Sequence, residues 1–178
     1  MEMLEVTRPI QWLRMYPLYR SAFPRAERKP FWIIRKKKKL GESDVWYFRE
    51  NGKFMGLATT VNDKDGKVLF DYFAVTGKDR GKGNGSKMLR LILKHYEGRE
   101  LFGEIEIEDE TAENNVERIR RKAFYLRHGL IALGVKVKLF GVDMELLSNG
   151  CQITFEEYHD FYCRNIGEFA RENVIELQ

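Results

Sequence analysis

Apolar and polar positions change period several times along the chain, and each change predicts an element. Leu4-Glu5-Val6 opens a strand, and the spacing from Ile10 to Ala22 predicts a helix that Pro17 should kink or restart. Pro30-Phe31-Trp32-Ile33-Ile34-Arg35 to Leu40, closed by Gly41, reads as a short helix with proline at its start and glycine after its end. Asp44 to Arg49 and Lys53 to Val61 read as two strands around Asn51-Gly52, a strong two-residue hairpin signal. The polar run Asn62 to Gly66 then turns the chain into an apolar strand, Val68 to Val75.

A second helix-strand pattern follows. Met88, Leu89, Ile92 and Tyr96 give Asn84 to Tyr96 a helical apolar face. Ile105 and Ile107, alternating with Glu104, Glu106 and Glu108, mark the next strand. Asn114 and Glu117 have the spacing of a capping box, and the helix after them carries an apolar stripe of Val116, Ile119, Ala123, Leu126 and Leu130. Val135 to Phe140 and Val142 to Leu147 predict a closing pair of strands. A second capping-box pair, Thr154 and Glu157, opens a last helix over about residues 154–167 with Phe155, Tyr158, Tyr162 and Ile166. This order is that of one α/β domain spanning residues 1–178, with no internal repeat.

Composition narrows the class. At 178 residues, 43% hydrophobic and 33% charged, the chain has enough apolar side chains for one core and is not that of a disordered protein. No apolar run spans a bilayer and nothing near Met1 resembles a signal peptide, so a cytoplasmic protein with no membrane partner is expected. Cys151 and Cys163 have neither metal-ligand nor redox spacing and read as free thiols, and no cluster has metal spacing. Net charge is +4. Its most concentrated source, Arg35-Lys36-Lys37-Lys38-Lys39, falls in the last turn of a helix, where cations complement the dipole, so no nucleic-acid partner is expected.

The most informative stretch is Val75-Thr76-Gly77-Lys78-Asp79-Arg80-Gly81-Lys82-Gly83-Asn84-Gly85-Ser86, placed between an apolar strand and an amphipathic helix. A strand that ends in glycines and becomes a helix leaves backbone N–H groups free at the positive end of the helix dipole. Glycine permits positive φ and removes the Cβ that would hold a phosphate away. Lys78, Arg80, Lys82, Lys87 and Arg90 surround the loop against one acid, Asp79. The ligand implied carries more than one phosphate. The spacing is not that of a nucleotide P-loop, and it departs from the dinucleotide fingerprint.

Arg80-x-x-Gly83-x-Gly85 instead resembles the R/Q-x-x-G-x-G/A signature of the GNAT superfamily of acyl-CoA-dependent N-acyltransferases, preceded by a similar strand end, Phe73-Ala74-Val75. Phe124-Tyr125-Leu126-Arg127-His128-Gly129-Leu130 resembles that family's second signature, F-Y-x-x-x-G-F, departing from it at Leu130. Arg121 also stands where many members have a small residue. The two signatures are in the family's order, so the resemblance runs from about Glu50 to Leu147. It implies a GNAT-type domain with a mixed, mostly antiparallel central sheet flanked by helices. It implies acetyl-CoA as co-substrate and direct transfer to a primary amine in a ternary complex. It also implies that pantetheine pairs with the backbone of Phe73 and Val75, and that Arg80, Gly81, Lys82, Gly83, Asn84, Gly85 and Ser86 hold the pyrophosphate. Small-molecule and peptide amines are both open as acceptors, as is a homodimer.

Aminolysis of a thioester needs a neutral amine and a proton for the leaving thiolate. With a reference pKa of about 10.4, roughly one lysine-like amine in a few thousand is neutral at pH 7, so a positioned base helps. The resemblance makes Tyr125 the proton donor. Some family members place a glutamate where this chain has Leu69. Asp71, two residues on and on the same face by alternation, is the candidate for handling the amine, with Glu106, Glu108 or water as rivals. His95, His128 and His159 are scattered and read as structural. Two other readings stand beside this one: a catalytically silent acyl-CoA-binding protein, and a nucleic-acid-binding module using residues 35–39.

Overall fold

The alternation of apolar and polar positions becomes strands covered by helices in a computed structural model that describes residues 1–25 and 27–177. The chain divides into two units, one of residues 1–64 and 68–97, the other of residues 65–67 and 98–178.

In the first unit, β1 (Glu2–Glu5), β2 (Ser43–Glu50), β3 (Lys53–Asn62) and β4 (Val68–Val75) pair antiparallel in that order. Asn51 and Gly52, with φ of 49° and 75°, make the predicted tight hairpin between β2 and β3. Helices α1 (Pro9–Ala22) and α2 (Phe31–Lys39) bury Met15, Leu18, Tyr19 and Ile34 in one cluster with Val45, Tyr47, Leu57, Tyr72 and Ala74. Pro17 does not end α1, which runs unbroken from Pro9 to Ala22. Met15, Leu18 and Tyr19, all buried on either side of it, each contribute about 1.5–3 kcal/mol. Together that exceeds the ~3 kcal/mol cost of an internal proline.

Two features of this unit position the loop after β4. Gly56 lies opposite Val75, and a Cβ there would collide with the Ala74 carbonyl and the Met88 side chain. Its absence lets β3, β4 and α3 (Asn84–His95) pack closely. The β3–β4 register also slips between Thr59 and Thr60, which pair with Tyr72 and Phe70, so Asp71 is the extra residue of a bulge. The bulge sends consecutive side chains to one partner: Asp71 binds the Lys29 ammonium, which lies 5.6 Å from the Tyr72 ring centroid.

In the second unit, β5 (Leu101–Glu106), β7 (Val142–Ser148), β6 (Ile131–Leu139) and β8 (Val174–Glu176) pair antiparallel in that spatial order. They are accompanied by α4 (Asn115–Leu126), α5 (Phe155–Ile166) and α6 (Glu168–Asn173). The Thr154–Glu157 box forms as expected, and Tyr158, Phe161 and Tyr162 bury one face of α5. The α/β class with mostly antiparallel strands is therefore that predicted.

Several expectations for this unit are corrected. Asn114 precedes α4 but its side chain caps nothing. It donates to Glu106 and accepts from Arg118 instead, because a carboxylate and a guanidinium outbid a backbone N–H. The apolar stripe of α4 is not core: Val116, Ile119 and Leu126 are exposed, and the helix is fastened by ion pairs. The strand after α3 stops at Glu106, one residue before Ile107. Strand β6 begins at Ile131 and crosses an irregular register between Ala132 and Lys136, where Gly134 takes φ 74°. Helix α6 and β8 have no clear periodic signal in so short a span.

Candidate active site

The glycine-rich run leaves β4 through Thr76, makes a 3-10 turn over Gly77–Asp79 and enters α3. Its shape is held from within. The Thr76 hydroxyl donates to the Asp79 carboxylate at 2.6 Å, and the Asn84 amide donates to the Asp79 carbonyl at 3.0 Å. The Lys82 ammonium donates to the Lys78 carbonyl at 2.7 Å, and the Arg80 guanidinium to the Val75 carbonyl at 3.3 Å. Asn84, expected among the ligand-binding residues, is buried and braces the loop with its side chain while its backbone opens the helix.

No side chain caps α3 and no acid stands in its first turn. The first intrahelical bond runs from Lys87 N–H to Gly83 C=O, so the N–H groups before it have no acceptor within the helix. Gly81 and Gly83 take φ of 72° and 75°, and a Cβ built on either meets nothing within 4 Å. The loop is thus a cradle of N–H groups with open space above the glycines and exposed Lys78, Arg80 and Lys82 at its rim. Lys87, counted with that rim in the sequence, is paired with Glu50 at 3.0 Å. It holds the Glu50 carboxyl below its ordinary range.

Strand β4 aims the rest of the site. Thr76 N–H bonds Met55 C=O at 2.9 Å. By antiparallel alternation, Ala74 shares that side, while Phe73 and Val75 turn their N–H and C=O groups away from β3. Asp71, further back on the strand, is held by both oxygens at 2.8 Å from Lys29 Nζ, and the pair is mostly buried. The backbone around Lys29 is itself fixed: its N–H donates to the Tyr72 hydroxyl, its carbonyl accepts from Tyr19, and Tyr72 donates to the Glu27 carbonyl. Burial pushes the Tyr19 phenol up to about 12, and raises Tyr72 further, with the Asp71 charge adding to both. Lys29 lies 42 residues from Asp71 and carries no local sequence signal.

In the second unit, Tyr125 sits at the end of α4, half-buried, with its ring 5.3 Å from Phe124. Burial pushes its phenol up to about 12, and the Arg121 charge pulls the other way. It therefore carries its proton throughout the neutral range. Glu106 is engaged at both oxygens: Arg118 at 2.9 Å and Asn114 at 3.4 Å on one, Arg121 at 2.8 Å on the other. Glu104 accepts from Tyr158 at 2.8 Å and Tyr162 at 2.6 Å. The two glutamates of β5 are thus clamps, Glu106 for α4 and Glu104 for α5, rather than a solvated face, while Glu108, beyond the strand, is exposed. The clamp explains Arg121, where the signature more often has a small residue.

The family model for acetyltransferases of the GNAT family matches residues 12–130. The chain belongs to the GNAT family. Solved structures agree on the fold. A GNAT-family protein from Bacteroides thetaiotaomicron has a TM-score of 0.78 at 19% identity, over 94% of this chain and 99% of that one. An aminoglycoside 6'-N-acetyltransferase complexed with coenzyme A has a TM-score of 0.66 at 13% identity, over 83% and 96%. An N-acetyltransferase from Staphylococcus aureus has a TM-score of 0.62 at 18% identity, over 83% and 95%. No curated protein sequence matches. As a GNAT acetyltransferase the protein is an acyltransferase that takes its acetyl group from acetyl-CoA and acts on amines. Its loop fits that donor, because the open space over Gly81 and Gly83 and the uncapped N–H groups of α3 suit a pyrophosphate. Among the described residues no helix is long and apolar enough to cross a membrane, and no side-chain group could hold a metal ion.

Proposed function

We propose that the whole chain works as one N-acetyltransferase domain, transferring the acetyl group of acetyl-CoA directly to a primary amine in a ternary complex. The uncapped, glycine-opened start of α3 carries this reading. Arg80, Gly81, Lys82, Gly83, Asn84, Gly85 and Ser86 hold the pyrophosphate, mainly through backbone N–H groups, with Arg80 and Lys82 supplying charge. Phe73 and Val75, whose peptide groups point away from β3, pair with pantetheine. No side chain acts as an acyl carrier.

Asp71, directly or through water, takes the proton that the acceptor ammonium must lose before its nitrogen attacks the thioester carbonyl. Both Asp71 oxygens are paired with the Lys29 ammonium, so in this reading the proton reaches Asp71 through water or after Lys29 yields one oxygen to the acceptor. As the carbon–sulfur bond breaks, the sulfur leaves as a thiolate and Tyr125 gives it the phenolic proton. A phenol raised to about 12 stays loaded at every working pH, and solvent returns its proton after each turnover.

A panel of primary amines, from polyamines and amino acids to peptide N-termini and lysine peptides, assayed with acetyl-CoA and a free-thiol readout tests the reading. Amine-dependent thiol release with a matching gain of one acetyl group on the amine is expected. Thiol release at the background rate with every amine, while calorimetry shows coenzyme A bound, overturns direct transfer to a primary amine.

A further inference from the structure

The charge of this protein is distributed very unevenly. Between Val6 and Gly41 lie eleven of its 31 Lys and Arg residues but one of its 27 Asp and Glu residues, so this stretch carries +10 and the remainder of a chain of net +4 carries −6. The stretch contains α1 and α2, which lie side by side with Trp12, Tyr16 and Tyr19 against Phe31. Both helices bury their inner residues against β2, β3 and β4, so what they expose faces away from those strands.

Where α2 meets the end of β1 there is a depression of about 510 Å³ lined by Val6, Trp12, Trp32, Arg35, Lys36, Lys38 and Lys39. Trp32 is 64% exposed, and the Arg35 guanidinium lies 5.6 Å from the Trp12 ring centroid. Lys38 is tied to Glu5 at 2.5 Å and Lys37 to Glu42 at 3.4 Å, whereas Arg35, Lys36 and Lys39 make no ion pair among the described residues. Cations closing a helix are expected at its negative end. Trp12 packs against Phe31 and the core, but the exposed indole of Trp32 beside these cations is explained neither by the dipole nor by packing.

We propose that this depression and the helix face around it bind a single-stranded polynucleotide. Trp32 gives a platform on which a base stacks, Arg35 with Trp12 extends it, and Lys36 and Lys39 meet the phosphates. A positively charged groove interleaved with aromatic rings is how single strands are held without sequence preference. A membrane surface fits less well, because an interfacial helix segregates its cations from its apolar face. Here Trp32, Lys36 and Lys39 recur at helical spacing on one stripe of α2. The site is also distinct from the phosphate loop: β1 is separated from β4 by β2 and β3, and the loop leaves the end of β4.

The test is fluorescence anisotropy of a 5′-labelled twelve-nucleotide oligouridylate titrated with the full chain, repeated with oligothymidylate, a duplex of the same length and vesicles of mixed neutral and anionic phospholipid. Micromolar or tighter binding of the single strands is expected, weaker for the duplex. The log–log slope against salt should be about −2 to −3, from three to four neutralised phosphates. Trp32→Ala should weaken binding roughly 5- to 100-fold with an unchanged slope, which a purely electrostatic patch would not show. Lys36→Gln with Lys39→Gln should reduce the slope by about 1.4. All variants should keep coenzyme A affinity, and saturating coenzyme A should not displace the oligonucleotide. Equal binding by wild type and the Trp32→Ala variant, complete displacement by coenzyme A, or binding to vesicles without binding to oligonucleotides each overturns the proposal.

Discussion

Gly41 and Gly83 form a matched pair for testing the loop. Both have φ of 75°, and a Cβ built on either meets no atom within 4 Å. Alanine at either position therefore incurs the same backbone strain and no clash in the free protein. A left-handed residue with a Cβ costs roughly 1–2 kcal/mol, partly offset by the reduced freedom of the unfolded chain. The net is about 1 kcal/mol, or ~2–4 °C in melting temperature for a chain of this size. Only at Gly83 does the new Cβ stand where a pyrophosphate must approach the N–H groups opening α3. Loss of one charge-assisted hydrogen bond there, about 1.5–3 kcal/mol, corresponds to roughly 10- to 150-fold in affinity. Calorimetry with coenzyme A and thermal melts of Gly41→Ala, Gly83→Ala and Gly83→Val separate the two effects. Similar melting shifts for the two alanine variants are expected, with weakened binding at Gly83 alone and more so for valine. Undiminished affinity in folded Gly83→Val would refute the placement of the ligand.

Tyr125→Phe should lower kcat by about 10- to 1,000-fold with KM unchanged, and a donor with a better leaving thiol should recover part of the rate; a wild-type rate in an assay limited by chemistry rejects the proton-donor role. Because burial raises the phenol from 10.0 to about 12, the folded state holds that proton more tightly than the unfolded state does. Its contribution to stability is complete below pH ~10 and lost as pH rises to ~12, so Tyr125→Phe should flatten alkaline unfolding in that window, read by denaturant titration. Asp71→Asn should lower turnover, most visibly at low pH, with coenzyme A affinity retained; the lost Lys29 pair should cost about 1–3 kcal/mol in denaturant unfolding. Glu106→Gln leaves Arg118 and Arg121 facing a neutral amide. It should destabilise by about 3 kcal/mol while kcat of the folded protein is unchanged, and a large loss of kcat alone would return Glu106 to the list of bases.

The loop was legible in the sequence because the residues that shape its turn are local, although its place on the fold also depends on β3 through Gly56 and Met55. Gly81, Gly83 and their neighbours set positive φ, end a strand and start a helix within a dozen residues, and no distant contact is needed to know what such a turn presents. The same holds for the Asn51-Gly52 hairpin and the Thr154–Glu157 cap, where a side chain or a φ angle acts on its own turn. Tertiary structure decided wherever a residue had two competing uses. Asn114 had the spacing of a cap but was drawn to Glu106 and Arg118. The apolar stripe of α4 had the period of a core helix, yet Arg118, Arg121 and Lys122 bind the carboxylates of Glu106 and Glu145 and leave the stripe outside. Pro17 was expected to kink or restart α1, yet the helix continues through it from Pro9 to Ala22, with buried residues on either side. Asp71 could be singled out in its apolar strand, but its bulge and its Lys29 partner depend on the β3 register and on a segment 42 residues away. Period and turn chemistry fix what a short segment can become. Which of its side chains meet, and which charges cancel, depends on distances that only the folded chain sets.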